Sequence, residues 1–120
     1  MNALTIAPYV EAPDRPWLSP SKVAKGLHVQ LAELAAAVGV HRNTLSANPE
    51  SPRVQAFLRD TLRVLSEARD VIDPSVGAVG WLLNEPLPAF RRKTPWELIE
   101  AGRTEDVLDY LRSYSAGYVG

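Results

Sequence analysis

The chain has 120 residues, a net charge of −1 and no cysteine, and hydrophobic residues make up 46% of it. This length and composition fit one domain or two very small ones with a packed core, and the missing thiols exclude disulfides and zinc–thiolate sites. The nearly neutral charge argues against a general polyanion binder. No stretch reaches the roughly 20 apolar residues of a membrane span, and residues 1–16 lack the pattern of a secretory signal. We therefore expect a cytoplasmic protein without membrane contact.

The N-terminal residues 1–18 are predicted to be an extended or disordered arm. Three prolines in this segment exclude a helix and push the preceding residues towards extended geometry. Ser19 and Pro20 then supply the residue types of a helix N-cap and first helical position. The helix that begins there is predicted to end at Gly26, because glycine is a common helix stop.

Apolar residues recur at helical spacing after this point and predict a second helix that stops at Gly39. A short third helix is expected before the break at Asn48 and Pro49. Pro52 then begins the longest predicted helix, to about Ile72, with apolar residues on one face and charged residues on the others.

Asp73 and Pro74 repeat the N-cap signal and predict an apolar helix through about Leu83. Gly77 and Gly80 lie three residues apart in this segment, so we expect another element to pack closely against that face. No convincing strand is present in the chain. The predicted fold class is therefore all-α.

Thr94, Pro95 and Glu97 form a capping-box pattern, which is a strong signal for the start of a short helix. Gly102 is predicted to end this helix, and Thr104 to begin the last one with acidic residues in its first turn. The residues predicted to be buried here are Trp81, Trp96, Val107, Leu108, Leu111 and Tyr114.

Residues 34–46 resemble a helix-turn-helix motif. Ala35 allows two helices to cross closely, Gly39 fits the sharp turn, and Leu45 anchors the second helix. The candidate DNA contacts are Arg42, Asn43, Thr44 and Ser46, whose side-chain types suit guanine, adenine, phosphate and the thymine methyl group. The second helix is short and has one basic residue. Working DNA recognition, a helix-turn-helix fold with little DNA binding, and chance therefore all stay open.

The last 50 residues contain several sequence features, one after another along the chain. They are Trp81 and Leu82 at a helix end, a proline-containing turn over residues 84–90, Arg92-Lys93-Thr94-Pro95, Glu97-Leu98, Gly102, Val107-Leu108 and Gly117-Tyr118-Val119. In this order they resemble the antitoxins of the Xre/MbcA/ParS type, whose partners are RES-domain toxins. A helix-turn-helix at residues 20–65 is what that family usually carries upstream.

The resemblance implies an N-terminal helix-turn-helix domain (residues 19–72) and a small helical toxin-binding domain (residues 73–120). Such an antitoxin neutralises a toxin that consumes NAD, and its terminal segment lies at or over the toxin active site. The helix-turn-helix binds the operon's own promoter, usually in a homodimer or in a hetero-oligomer with toxin. The implied toxin-binding residues are Arg91, Arg92, Lys93, Tyr114, Gly117, Tyr118, Val119 and Gly120.

The implied toxin-binding residues also have interpretations that involve no partner. The residues 91–93 also fit a solvated loop, and the tail also fits an ordinary frayed end with half-packed tyrosines. His28 and His41 lack partners at metal-ligand spacing, and no phosphate-binding glycine loop or nucleophile elbow is present. We therefore expect no enzyme, no metal and no cofactor. The alternatives to an antitoxin are a DNA-binding regulator without a toxin partner and an interaction adaptor with a vestigial helix-turn-helix.

Overall fold

The computed structural model describes residues 6–115, which contain seven α-helices and one pair of short strands. The chain folds into two compact units that divide between Arg59 and Asp60. The elements are β1 (Val10–Ala12), β2 (Arg15–Leu18), α1 (Pro20–Leu27), α2 (Leu31–Val38), α3 (Arg42–Ala47), α4 (Pro52–Val71), α5 (Ala78–Asn84), α6 (Pro95–Glu100) and α7 (Thr104–Ser115), with 3-10 helices at Ala7–Tyr9 and Pro88–Phe90. The mostly helical fold is confirmed, whereas the expectation of no strand is wrong. The predicted domain boundary at residues 72 and 73 stays a prediction.

The two strands pair antiparallel, with Val10 opposite Leu18 and Ala12 opposite Arg15. The prolines do impose extended geometry, as expected, but the pairing of the two extended pieces was not predicted. The side chain of Lys22 donates hydrogen bonds to the carbonyl oxygens of Val10 and Glu11, at 2.8 and 3.1 Å. These hydrogen bonds connect the hairpin to the first turn of α1.

A second attachment of the hairpin runs through Gln55, in the first turn of α4. Its amide nitrogen donates to the carbonyl oxygen of Leu18 at 2.9 Å, and its amide oxygen accepts from the Leu18 N–H at 2.8 Å. The same nitrogen also donates to the carbonyl oxygen of Pro49 at 2.7 Å. One amide side chain thus satisfies both backbone groups of Leu18.

Helix α1 begins as predicted but ends at a different residue. The Ser19 hydroxyl accepts a hydrogen bond from the Lys22 N–H at 3.2 Å, which confirms the N-cap. The helix continues through Gly26 to Leu27, and His28 takes the left-handed C-cap conformation with φ 58°. Gly26 instead lies against the ring of Tyr9, where a Cβ atom would clash. The predicted stop at Gly26 is wrong because this glycine serves packing.

The turn between α2 and α3 follows the sequence prediction. Gly39 ends α2 in the left-handed region, with φ 87°, and its N–H donates to the carbonyl oxygen of Ala35 at 2.9 Å. The Nδ1 atom of His41 accepts from the Asn43 N–H at 3.1 Å and so caps α3. The buried residues of this first unit include Leu18, Val23, Leu27, Leu34, Ala35, Leu45, Val54 and Leu58.

The segment before α5 contradicts the prediction. Asp73 does not cap a helix, because its side chain closes a turn by accepting from the N–H and hydroxyl of Ser75, at 2.8 and 2.7 Å. Gly77 is the N-cap of α5, with φ 85°, rather than an interior residue. Gly80 is exposed, and a Cβ atom there would meet nothing within 4 Å in the described part of the chain. The expected close packing against these glycines is therefore not found among the described residues.

The second unit packs α5 against α6 and α6 against α7. The Thr94 capping box is confirmed, with both reciprocal hydrogen bonds formed at 3.1 and 3.0 Å. Gly102 (φ 76°) follows α6, and α7 begins at Thr104, both as predicted. The buried residues here include Leu62, Leu65, Trp81, Leu82, Leu87, Leu98, Ile99, Val107, Leu108 and Leu111.

Two aromatic residues of this unit depart from the predicted core. Trp96 is only half-buried. Tyr114 is wrongly placed in the predicted core, because 47% of its surface is exposed. It lies in the last turn of α7, at the end of the described range.

Candidate functional site

Three consecutive cations, Arg91, Arg92 and Lys93, form a short connection that we call the basic loop. It follows the 3-10 helix at Pro88–Phe90 and leads into the Thr94 cap of α6. Two backbone hydrogen bonds connect this loop to Leu87. The Leu87 N–H donates to the carbonyl oxygen of Lys93 at 3.0 Å, and the Arg92 N–H donates to the carbonyl oxygen of Leu87 at 2.9 Å. The loop is therefore held at both ends.

The backbone of the basic loop is strained. Arg91 and Arg92 both lie in the left-handed region, with φ 56° and 65°. Such a conformation costs a residue other than glycine on the order of 1–3 kcal/mol and persists only where the surroundings enforce it. Strain of this kind clusters at functional sites, so the loop is a candidate binding element on geometry as well as on charge.

The charges of the basic loop are turned to solvent. All three residues are exposed, and no ion pair joins them to any residue in the range 6–115. Three other arginines of the unit do have carboxylate partners: Arg63 lies 3.4 Å from Glu105, Arg103 lies 2.8 Å from Asp106, and Arg112 lies 3.2 Å from Glu67. The charge of Lys93 contributes to the lowered pKa of Glu97, whereas neither arginine of the loop forms an ion pair within the described residues.

A groove of about 550 Å³ lies beside the basic loop, and we call it the aromatic groove. Its lining includes Asp73, Val76, Trp81, Glu85, Tyr110 and Tyr114. Val76 and Tyr114 are large apolar residues with 57% and 47% of their surface exposed. Exposed apolar surface next to polar groups is typical of a contact surface for another molecule.

Three aromatic rings connect the groove to the loop. The ring centroids of Tyr110 and Tyr114 are 5.4 Å apart, and those of Phe90 and Tyr110 are 6.1 Å apart in an edge-to-face arrangement. Burial, the hydrogen bond with Tyr114 and the negative charge of Glu85 raise the pKa of Tyr110. Tyr110 therefore stays neutral, and its ring keeps the negative face that attracts cations.

The predicted toxin-binding residues are partly brought together. The basic loop and Tyr114 lie on the same unit, and the Phe90–Tyr110–Tyr114 row connects them. The remaining predicted residues, Gly117, Tyr118, Val119 and Gly120, lie outside the described residues. Sequence reasoning missed the groove residues Val76 and Glu85. The signal for Val76 is the Asp73-x-Ser75 turn pattern, whose aspartate also fits a helix N-cap.

The predicted DNA contacts lie together on α3. Arg42, Asn43, Thr44 and Ser46 are all exposed, while Leu45 between them is fully buried. Ala35 of α2 is also buried, as the predicted close crossing requires. The helix has six residues and a single basic side chain. DNA recognition by this helix stays a prediction.

Within residues 6–115, no group of three or more His, Asp or Glu side chains could hold a metal ion. The helices of this range also fall short of the length and apolar composition needed to cross a bilayer. Comparison of the chain with protein-family models, with curated proteins and with solved structures finds no match.

Proposed function

We propose that this chain is an antitoxin that binds and neutralises a RES-domain, NAD-degrading toxin through residues 73–120. The observation that carries the proposal is the basic loop, in which the exposed Arg91 and Arg92 have a left-handed backbone, in the same unit as exposed Tyr114. The order of sequence features in this half of the chain supports the identity of the partner.

The physical argument rests on the residue types and on their fixed positions. Arginine and tyrosine are among the side chains most enriched at the energetic centres of protein interfaces. A loop that is rigid before binding loses little conformational entropy when the complex forms. The segment after α7 then extends the contact to the toxin active site, as the resemblance implies.

Co-expression tests the proposal directly. A RES-domain protein encoded beside this chain is expected to be toxic alone and harmless when the two are produced together. In an NAD-consumption assay, removing Tyr118, Val119 and Gly120 is expected to weaken inhibition while the circular dichroism spectrum stays unchanged. Undiminished inhibition by the shortened chain would contradict the assigned role of the tail.

The exposed polar face of α3 favours a second activity, binding of the operon's promoter DNA. Arg42→Ala and Asn43→Ala are each expected to weaken binding in a mobility-shift assay, since both side chains are exposed on the same helix. Arg15→Ala, which removes an exposed cation from β2, is the matched control. Binding should fall only gently with salt, because few basic residues are available to displace counterions.

The two alternatives give different outcomes in these assays. A regulator without a toxin partner would bind promoter DNA but co-purify with no toxin. An adaptor with a vestigial helix-turn-helix would bind a partner protein through the second unit, and Arg42→Ala would change nothing.

A further inference from the structure

Surfaces of opposite charge lie side by side in the second unit. Among the described residues, the lining of the aromatic groove includes Asp73 and Glu85 and no basic residue, whereas the basic loop has three cations and no acid. Leu87 lines the groove, and its N–H donates to the carbonyl oxygen of Lys93 in the loop at 3.0 Å. The acidic groove and the basic loop are therefore neighbours in the second unit, joined through the backbone of Leu87.

The groove has the chemistry that holds a guanidinium or ammonium group. The rings of Trp81, Tyr110 and Tyr114 line it, and aromatic faces attract cations most strongly where carboxylates add negative charge. The neighbouring ring of Phe90 already carries a cation of its own chain, because the guanidinium of Arg103 lies 5.2 Å from its centroid. A further cation would meet the same chemistry inside the groove.

The acids of the groove carry the negative charge of this surface. The hydrogen bonds from the Ser75 hydroxyl and N–H lower the pKa of Asp73, so this carboxylate stays ionised at neutral pH. Glu85, at the end of α5, is near enough to Tyr110 for its negative charge to raise the tyrosine pKa. Neither carboxylate has a cation within ion-pair distance in the described part of the chain.

We propose that the aromatic groove of one copy of this chain receives the basic loop of a second copy, and that the second groove receives the first loop. A two-fold interface needs one patch that is complementary to itself. Here the groove and the loop are adjacent, so a single two-fold axis brings each acidic groove over the other copy's basic loop. The apolar side chains of Val76 and Tyr114 at the groove then become covered.

A second copy fits better than another occupant because both halves of the contact are already present on one chain. Arg91 and Arg92 have no ion-pair partner among the described residues, and neither do Asp73 and Glu85. This inference goes beyond the proposed function, because the interface forms with neither toxin nor DNA present. Its consequence is that the basic loop is covered in the free protein, so that any partner of the loop must displace the second copy.

A charge-swap experiment on the full chain tests the interface. One variant carries Arg91→Glu and Arg92→Glu, and the other carries Val76→Lys and Glu85→Lys. Both leave the Asp73 turn intact and substitute only exposed or half-buried side chains. Sedimentation velocity should show a wild-type dimer at about 50 μM, with the dimer dissociation constant raised at least roughly tenfold in each variant.

Mixing the two variants is the decisive step. In the mixture, the unchanged acidic groove meets the unchanged basic loop, and the reversed groove meets the reversed loop. A dimer with one copy of each variant should therefore form again. Arg69→Glu, which reverses an exposed cation of α4 outside the loop, is the control and should leave the wild-type dimer unchanged.

Three results would overturn the proposal: a wild-type chain that is monomeric at about 200 μM, a dimer that survives either charge reversal, or a mixture that stays monomeric. Because a variant that misfolds would also be monomeric, each must first reproduce the wild-type circular dichroism spectrum. The salt dependence of the wild-type dimer gives a test without substitutions, since about 0.5 M sodium chloride should weaken it. Toxin neutralisation is measured separately, so its failure would reject the proposed function and leave this interface standing.

Discussion

The two units of the chain use their cations differently. In the first unit, Lys22 and Arg53 donate to backbone carbonyl oxygens, of Val10 at 2.8 Å and of Val38 at 3.2 Å. In the second unit, arginines pair with carboxylates, as in the Arg63–Glu105 pair. The first arrangement fixes loops to helices, and the second balances charge along helix faces. Within the described residues, Arg91 and Arg92 of the basic loop take part in neither arrangement.

The candidate DNA-binding face of α3 and the candidate site of the second unit also differ in their charged residues. The face of α3 offers exposed polar atoms but one basic residue, so its contribution to binding a polyanion is small. The second unit has the three exposed cations of the basic loop and a neighbouring groove lined by Val76, Tyr114 and two acids. The following changes test how far the two units behave independently.

The largest effects are expected from core substitutions. Leu34→Ala in the first unit and Leu108→Ala in the second each remove a fully buried side chain, and each should lower the free energy of unfolding by about 2–5 kcal/mol. Hydrogen exchange with mass spectrometry measures which unit loses protection. If the units are independent, the loss stays in the substituted one, and equal loss in both would contradict this. Lys25→Ala, at an exposed position of α1, is the control for the size of the effect.

The next largest changes in the free energy of unfolding are expected at Gly39 and Gly80, and they have opposite signs. Gly39→Ala places a side chain at φ 87°, which costs about 1–2 kcal/mol. Gly80→Ala adds a methyl group in open space within α5 and should stabilise by about 0.5 kcal/mol. Urea denaturation measures both. A stabilising Gly39→Ala would show that the turn before α3 does not need its left-handed residue.

The capping box of α6 is expected to contribute about 1 kcal/mol, so Thr94→Ala should destabilise by that amount. The effect depends on pH, because the Thr94 N–H lowers the pKa of Glu97 from its usual value of 4.5. A carboxyl with a lowered folded pKa stabilises above its unfolded pKa, and the stabilisation is lost as the pH falls through the folded value. The difference between wild type and Glu97→Gln should therefore shrink below about pH 4.5. A difference that stays constant down to about pH 3 would show that the cap is not made by the carboxylate.

The smallest changes in stability are expected when a cation is removed from an ion pair or from a hydrogen bond to a backbone carbonyl oxygen. Arg63→Gln breaks a largely exposed ion pair and should cost about 0.2–1 kcal/mol, less in about 0.5 M salt. Arg53→Gln removes a charged donor to a backbone carbonyl oxygen and should cost about 0.5–1.5 kcal/mol, with little dependence on salt. Thermal denaturation at low and high salt compares them. Equal salt dependence would remove the distinction between the two units.

The helix ends that depend on local chemistry were predictable. Ser19, Gly39 and Thr94 act within one turn of their own positions, so the residue type and the spacing are sufficient. The roles of Gly26 and Asp73 depend on contacts that are not part of the helix signal. These are the ring of Tyr9 for Gly26 and the competing turn with Ser75 for Asp73. The strand pairing of residues 10–18 likewise depends on contacts that no local pattern contains.

The candidate site divides in the same way. The exposure of the basic loop and of α3 follows from their charged and polar residues, which carry the information locally. The groove could not be predicted, because Val76, Trp81 and Tyr110 come from three separate segments that meet only in the folded unit. Tyr114 was assigned to the core by its helical spacing, but spacing alone cannot show whether another element covers that position.

The left-handed residues of the basic loop also bear on how this surface can evolve. The cost at Arg91 and Arg92 comes from the backbone angle, so lysine, glutamine or glutamate would meet nearly the same cost as arginine. Valine, isoleucine and threonine would be strongly disfavoured, because branching at Cβ clashes in this region. The charge of the loop can therefore change by single substitutions while its shape is kept. A lineage could alter which partner it recognises without first having to rebuild the fold.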